Sequence, residues 1–402
     1  MSWPDVEFES IHSSPSRNGV YKSKEFHGRG SRIVNMGELF GYNFISNQEM
    51  KRVELTTREL AANSLEDGDL LFGRRSLVEA GAGKCSLVVD PLDSLTFESS
   101  IIRVRLNKEV VNPRFMYYYF LSPQGRGRIR SIVSGTNVKG IRGSDLKQLP
   151  VARPPKCVQD GIAEVLTTYD DLIENNRRRM ALLEESARLL YREWFVRLRF
   201  PGYEHTPIVD GVPQGWEQKT LGNLCSEIRD MVLPEAIEPD TPYIGLEHIP
   251  RRSISLNEWG TAAEVTSSKS RFKAGEIIFG KIRPYFHKVG VAFVDGVTSS
   301  DAIVVRPAVD TLHGLVLMTM SSDEFVAVTT QQMKEGSKMP RADWKQMKAY
   351  FMPLPPSGLL SNFDGVIQPI VEQLKSISFA NQRLRTARDL LLPRLINGEI
   401  QV

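Results

Sequence analysis

Gly68-Asp-Leu-Leu-Phe-Gly73 and Gly275-Glu-Ile-Ile-Phe-Gly280 are one six-residue pattern written twice, and each is followed at once by a basic cluster, Arg74-Arg75 or Lys281-Ile-Arg283. Working outward, two runs rich in β-branched residues come next, Ser99-Ser-Ile-Ile-Arg-Val-Arg105 and Ser300-Asp-Ala-Ile-Val-Val-Arg306. Both read as strands ending in arginine. A third match sets Gly135-Thr-Asn-Val-Lys-Gly-Ile-Arg-Gly-Ser-Asp-Leu-Lys-Gln-Leu149 against Gly336-Ser-Lys-Met-Pro-Arg-Ala-Asp-Trp-Lys-Gln-Met347. A fourth is a proline pair, Pro154-Pro155 and Pro355-Pro356, each ahead of a long helical pattern. Order and spacing are kept at offsets of roughly 200 residues. The chain therefore reads as two copies of one unit, a mixed strand-and-helix part followed by a proline-bounded helix start.

The helical patterns carry a seven-residue period. In the first, from about residue 160 to 196, the columns are Ile162, Tyr169, Asn176, Leu183, Leu190 and Leu166, Ile173, Met180, Ala187, Trp194. The second runs Phe363, Ile370, Ile377, Leu384, Leu391 and Ile367, Leu374, Asn381, Arg388, Leu395. A period kept over about five heptads predicts supercoiled pairing of two helices. Some 37 helical residues rise roughly 55 Å, so an antiparallel pair would serve as a spacer between globular parts. Asn176 and Asn381 interrupt the stripes, either as buried residues that fix register or as solvated edge positions.

The 402 residues exceed what one core usually fills, and 41% hydrophobic with 25% charged residues is ordinary globular composition. No apolar run approaches the ~20 residues of a spanning helix, and Met1-Ser-Trp-Pro-Asp-Val-Glu7 has no signal-peptide character. Three widely spaced cysteines, Cys85, Cys157 and Cys225, fit a reducing cytoplasm and no zinc knuckle. The net charge of +3 is uninformative, but its distribution is not. Arg126, Arg128, Arg130, Lys139, Arg142 and Lys147 stand against only Asp145, and Lys269, Arg271, Lys273, Lys281, Arg283 and Lys288 against only Glu276. Basic residues mixed with Gly, Ser, Thr and Asn suit a duplex-binding surface, with Lys and Arg on phosphates and side-chain forks on base edges. The aromatic run Phe115-Met-Tyr-Tyr-Tyr-Phe120 is too dense in apolar bulk for an exposed stacking platform and reads as core.

Catalytic motifs nearly appear and fail. Gly81-Ala-Gly-Lys-Cys-Ser86 has Val78 where a phosphate-binding loop needs glycine, and Cys85 where it needs Ser or Thr. Asn112-Pro-Arg-Phe115 differs from the Asn-Pro-Pro-Tyr/Phe loop of amino-group DNA methyltransferases by Arg114, and no glycine-rich S-adenosylmethionine loop precedes it. Asp210 with Glu217-Gln-Lys219 has the residue types of a magnesium-dependent nuclease. The six histidines have no metal-ligand spacing, so no catalytic or metal residue is predicted.

Over essentially its whole length the chain resembles the specificity subunit of type I restriction-modification systems. The carriers are Gly275-Glu-Ile-Ile-Phe-Gly-Lys-Ile-Arg-Pro-Tyr-Phe286, the Gly336–Met347 string with Pro353-Leu-Pro-Pro356, Tyr191-Arg-Glu-Trp-Phe-Val-Arg-Leu-Arg-Phe-Pro-Gly202, and Leu390-Leu-Leu-Pro-Arg-Leu-Ile-Asn-Gly-Glu-Ile400. The first unit departs from it, with Arg74-Arg-Ser in place of the Lys-Ile-Arg-Pro-Tyr form.

The resemblance implies an α+β chain of two mixed α/β target-recognition domains, 1–155 and 201–356. Two long antiparallel helices, 156–200 and 357–402, would form the coiled-coil spacer of an internal pseudo-two-fold repeat. Each domain would read one half of a split target on double-stranded DNA. By the same resemblance the subunit itself would be non-catalytic and would bind no cofactor. It would gather two modification subunits, which use S-adenosylmethionine, and restriction subunits, which use ATP and magnesium, in the cytoplasm and away from membranes.

Chemistry and position in the repeated motifs give the expected DNA contacts. Arg74, Arg75, Lys139 and Arg142 with Thr136 and Asn137 serve the first unit; Lys281, Arg283, Lys338 and Arg341 with Tyr285 and Ser337 serve the second. The rival readings are a DNA-independent coiled-coil scaffold or regulator and a metal-dependent nuclease on Asp210, Glu217 and Lys219.

Overall fold

The architecture comes from a computed structural model that describes residues 3–78, 81–331 and 340–402. By internal contacts the chain divides into two compact units, Met1–Leu172 with Leu384–Val402, and Ile173–Arg383. Both divisions fall inside long helices, so each unit holds part of both.

The first unit is built on a five-stranded sheet in the order His12–Asn18, Ile101–Leu106, Leu70–Gly73, Cys85–Val88, Phe44–Ile45. All neighbours are antiparallel except the last pair, which is parallel. Leu70, Leu71 and Phe72 are all buried because both faces of their strand are covered, and such strands read as continuous apolar runs. Successive side chains still alternate. Leu70 and Phe72 join the core that holds Phe115–Phe120, whereas Leu71 joins Val34, Leu39 and Ile45 on the other face. The aromatic run lies on the helix Pro113–Leu121 and is core, as predicted. That helix starts where Asn112 Oδ1 accepts from Arg114 N at 2.9 Å and Phe115 N at 3.3 Å, with Pro113 in the first turn. A three-stranded sheet of Arg52–Val53, His27–Val34 and Leu95–Phe97 adjoins it.

The second unit repeats that connectivity. Its sheet runs Cys225–Ile228, Ala302–Pro307, Ile277–Gly280, Val289–Ala292, Ser255–Leu256, with the same directions at every step. Ile277 and Phe279 face one core and Ile278 the other. One buried ion pair also recurs. Asp69, 1% exposed, accepts from Glu66 N and from Arg105 Nε, both at 2.8 Å. Glu276, 4% exposed, accepts from Lys273 N at 2.8 Å and from Arg306 Nε at 2.7 Å. A buried carboxylate persists only when such donors satisfy it, so the acidic residue opening each repeated string ties its turn to the neighbouring strand.

The long helices are Lys156–Tyr191 and Ser357–Ile396. The first is followed directly by a π-helical turn, Arg192–Val196. Within the second unit, Asn176 Nδ2 donates to Asn381 Oδ1 at 2.9 Å. Asn381 is 4% exposed, so it is a seam residue and not a solvated edge. Ser378 Oγ lies 4.0 Å from Met180 Sδ, which fixes the antiparallel sense there. Within the first unit the same sense holds: Arg388 pairs with Asp170, whose Oδ2 also accepts from Tyr118 Oη at 2.7 Å. Arg388 occupies a heptad column because its charge is matched by a buried aspartate.

Candidate nucleic-acid interface

The basic residues after each repeated string lie on loops that only the fold can pair. In the first unit Arg75–Ser76 forms a two-stranded ladder with Lys139–Gly140, and Ile141 N donates to Arg74 O at 3.0 Å. Arg74, Arg75, Lys139 and Arg142 are thereby gathered on one platform. Arg75 and Arg142 are exposed; Arg74 and Lys139 are half-buried. Thr136 and Asn137 are exposed in the turn that the Ser134–Gly140 bridge closes. Glycine is required in that turn at position 135, where φ is +104° and a Cβ would sit 2.2 Å from Val138 O.

In the second unit Ile282 bridges to Arg341, Arg283 N donates to Pro340 O at 3.0 Å, and Ala342 N donates to Lys281 O at 2.9 Å. Lys281, Arg283 and Arg341 are brought together, with Tyr285 exposed on the same loop. Lys281 Nζ is spent on Ser300 O at 2.9 Å, and Arg341 pairs with Asp301 at 3.1 Å, so Arg283 is the most available of the three. Ser337 and Lys338 lie outside the described residues.

This second loop is held by strained backbone. Arg252, Arg283 and His287 all adopt the left-handed region, with φ of +55°, +50° and +50°. Each costs on the order of 1 kcal/mol and persists only where its surroundings impose it. Arg252 N donates to His287 O at 3.0 Å, its guanidinium contacts Asp323 at 2.9 Å, and Arg188 of the long helix donates to Arg252 O at 2.6 Å. Burial, reinforced by Arg252, pulls His287 below the usual histidine range while Asp323 opposes. Sequence reasoning missed Arg252 and Asp323, since no motif marks either.

The two basic strips are less uniform than their sequences suggest. Arg126 donates to Gly83 O at 3.0 Å, Arg128 pairs with Asp5 at 2.7 Å, and Lys147 pairs with Glu9 at 2.7 Å. Lys269 is buried and donates to Ser267 O at 2.9 Å. These cations satisfy carbonyls and carboxylates, so the strips present only part of their formal charge. Cys85 and Ser86 are buried in a strand, which leaves no helix N-terminus for a phosphate loop at Gly81–Ser86. Lys219 pairs with Glu217 at 2.7 Å, and among the described residues no group of three or more His, Cys, Asp or Glu could hold a metal ion. All three cysteines are unpaired, and burial pushes the Cys225 thiol up to about 12. No helix among the described residues is long and apolar enough to cross a membrane.

Comparison with known proteins bears on what these loops serve. Residues 20–185 match the type I restriction modification DNA specificity domain. The chain is 23% identical over 398 residues to the type I restriction enzyme MjaIX specificity subunit of Methanocaldococcus jannaschii, covering 95% of this chain and 89% of that one. It is 31% identical over 174 residues to the EcoKI specificity subunit of Escherichia coli, which covers 42% of this chain and 37% of that one. The crystal structure of the type I restriction-modification S subunit from M. genitalium has the same fold, with a TM-score of 0.59 at 16% identity over 98% of this chain and 96% of that one.

Residues 20–185 thus match a DNA specificity domain, and over most of its length the chain is similar to specificity subunits of type I restriction enzymes.

Proposed function

We propose that each unit reads one half of a bipartite target on double-stranded DNA through its own basic loop platform, and that the two long helices set the number of unread base pairs between the halves. The observation that carries this is the same pairing in both units: residues 74–76 with 139–141, and 281–283 with 340–342, each on a sheet of identical connectivity. Backbone pairing of two distant basic segments makes one rigid surface, from which Arg and Lys reach phosphates while Arg, Asn and Tyr reach base edges. Helices of 36 and 40 residues rise about 54 and 60 Å, comparable with the ~34–36 Å between half-sites one turn apart plus domain offset.

An internal pseudo-two-fold repeat gives one chain two similar surfaces, which suits docking of two identical modification subunits. S-adenosylmethionine would be held by those subunits, and ATP and magnesium by restriction subunits, with nothing bound by this chain. A cytoplasmic location follows from that role.

The test is to map methylated adenines in DNA from cells carrying this chain with its modification subunit, alongside Arg283→Ala and Arg142→Ala. The expected outcome is a split target, with each variant relaxing one half and lowering the slope of log affinity against log salt by about 0.9 for each phosphate no longer neutralised. A contiguous target, or methylation independent of this chain, overturns the proposal.

A further inference from the structure

One lysine in each unit, absent from the expected contacts, closes the foot of the basic loop. Gly73 N donates to Lys84 O at 2.9 Å in the first unit, and Gly280 N to Lys288 O at 2.8 Å in the second. Each lysine immediately precedes the next strand of its sheet, Cys85–Val88 or Val289–Ala292. Both turn their ammonium groups back onto a backbone carbonyl of their own unit. Lys84 Nζ donates to Phe40 O at 2.5 Å, and Lys288 Nζ donates to Leu246 O.

In both units the accepting carbonyl lies ahead of the strand that runs parallel beside the lysine's own, Phe40 in the helix Met36–Gly41 ahead of Phe44–Ile45, and Leu246 in a turn ahead of Ser255–Leu256. The glycines that end the repeated strings are packed against that same segment. A Cβ at Gly73 would meet Leu39 Cδ2 at 3.1 Å, and one at Gly280 would meet Leu246 Cδ2 at 3.1 Å. Burial is the largest influence on both lysines and lowers them from the usual range, as expected of ammonium groups half withdrawn from water. A lysine committed in this way is not a free phosphate ligand, yet its loop carries Arg74 and Arg75, or Lys281 and Arg283.

We propose that Lys84 and Lys288 are positioning residues, each holding the recognition loop of its own unit in its reading geometry through an ammonium-to-carbonyl bond across the loop foot. This rests on the reading of those loops as DNA contacts. A charge-assisted bond to a carbonyl is stronger than a neutral one, and a methionine of similar length keeps the packed stem while removing the bond.

The experiment uses the full chain assembled with its modification subunits, probed with a pool of duplexes whose two half-sites are independently randomised. Lys288→Met lowers selectivity at the second half-site about ten-fold. It leaves the first half-site and the salt slope unchanged. Lys84→Met gives the mirror result. A slope reduced by about 0.9 would make the lysine a phosphate contact and overturn the proposal. Unchanged selectivity, or equal loss at both halves, overturns it as well.

Amide exchange supplies a readout that needs no DNA. The amides of Gly280 and Lys281 exchange faster in Lys288→Met while those of the helix His313–Ser321 do not, and acceleration throughout the unit would mean a general loss of fold and refute positioning. Should either methionine variant fail to assemble, Lys84→Leu or Lys288→Leu, which likewise has no donor, carries the same test. If the parent complex selects no half-sites, the bipartite reading fails on its own, and the exchange pattern still decides whether the lysine anchors the loop.

Discussion

Replacing Arg388 with methionine tests the least expected residue of the helix seam. Arg388 pairs with Asp170 across the two long helices within the first unit, and Tyr118 Oη donates to the other oxygen of the same carboxylate. Side-chain exposure is 6% for Asp170 and 16% for Arg388. Removing the guanidinium leaves a buried carboxylate with one phenol donor from Tyr118 and, beside it, an aspartate at 389 that has lost its own partner. Breaking a buried pair on one side costs about 3–5 kcal/mol, and the residual exposure of Arg388 places this case near ~3 kcal/mol. A double replacement, Asp170→Asn with Arg388→Met, removes both charges, keeps a side-chain oxygen to accept from Tyr118 Oη, and should fall within about 1 kcal/mol of the parent, because no unpaired charge is then buried. Native-state hydrogen exchange of helix amides in 160–172 and 384–396 measures both costs and localises them. A single-variant cost under about 1 kcal/mol, or additive effects of the two replacements, would refute the argument that this pair holds the seam.

Two further outcomes follow from individual environments. Burial pulls His12 down to about 4, with Glu9 opposing and Lys147 adding to the shift, and neither ring nitrogen has a hydrogen-bond partner. Since the unfolded chain binds the proton more readily, stability present above about pH 6.5 is lost as pH falls toward 4, by up to about 3 kcal/mol. His12→Phe should flatten that part of the pH-stability curve, and an unchanged slope between pH 4 and 6.5 would count against it. Gly280→Ala places a Cβ 3.1 Å from Leu246 Cδ2 and 3.2 Å from Lys288 Cβ, an overpacking of about 1–3 kcal/mol, read as a lower Tm of the second unit.

The aromatic run, the seven-residue columns and the two strings ending in Gly73 and Gly280 were legible because each is a local or periodic pattern of apolar residues. Burial acts on such patterns independently of the rest of the chain. The basic strips were legible only as charge. Summing formal charges cannot tell Arg128, which pairs with Asp5, from Arg142, which stands exposed, since the partner lies far away in sequence.

By itself, the sequence determined two units of one pattern, their order, the long helices and the residue types equipped for DNA. Tertiary structure alone decided which distant segments pair: 74–76 with 139–141, 281–283 with 340–342, and Asp170 with Arg388. It also decided which cations are committed to backbone carbonyls, Lys84, Arg126 and Lys288 among them. The physical reason is that repeats and heptads are written in neighbouring residues. A cation's availability depends instead on which carbonyl or carboxylate the folded sheet brings within hydrogen-bonding distance of it.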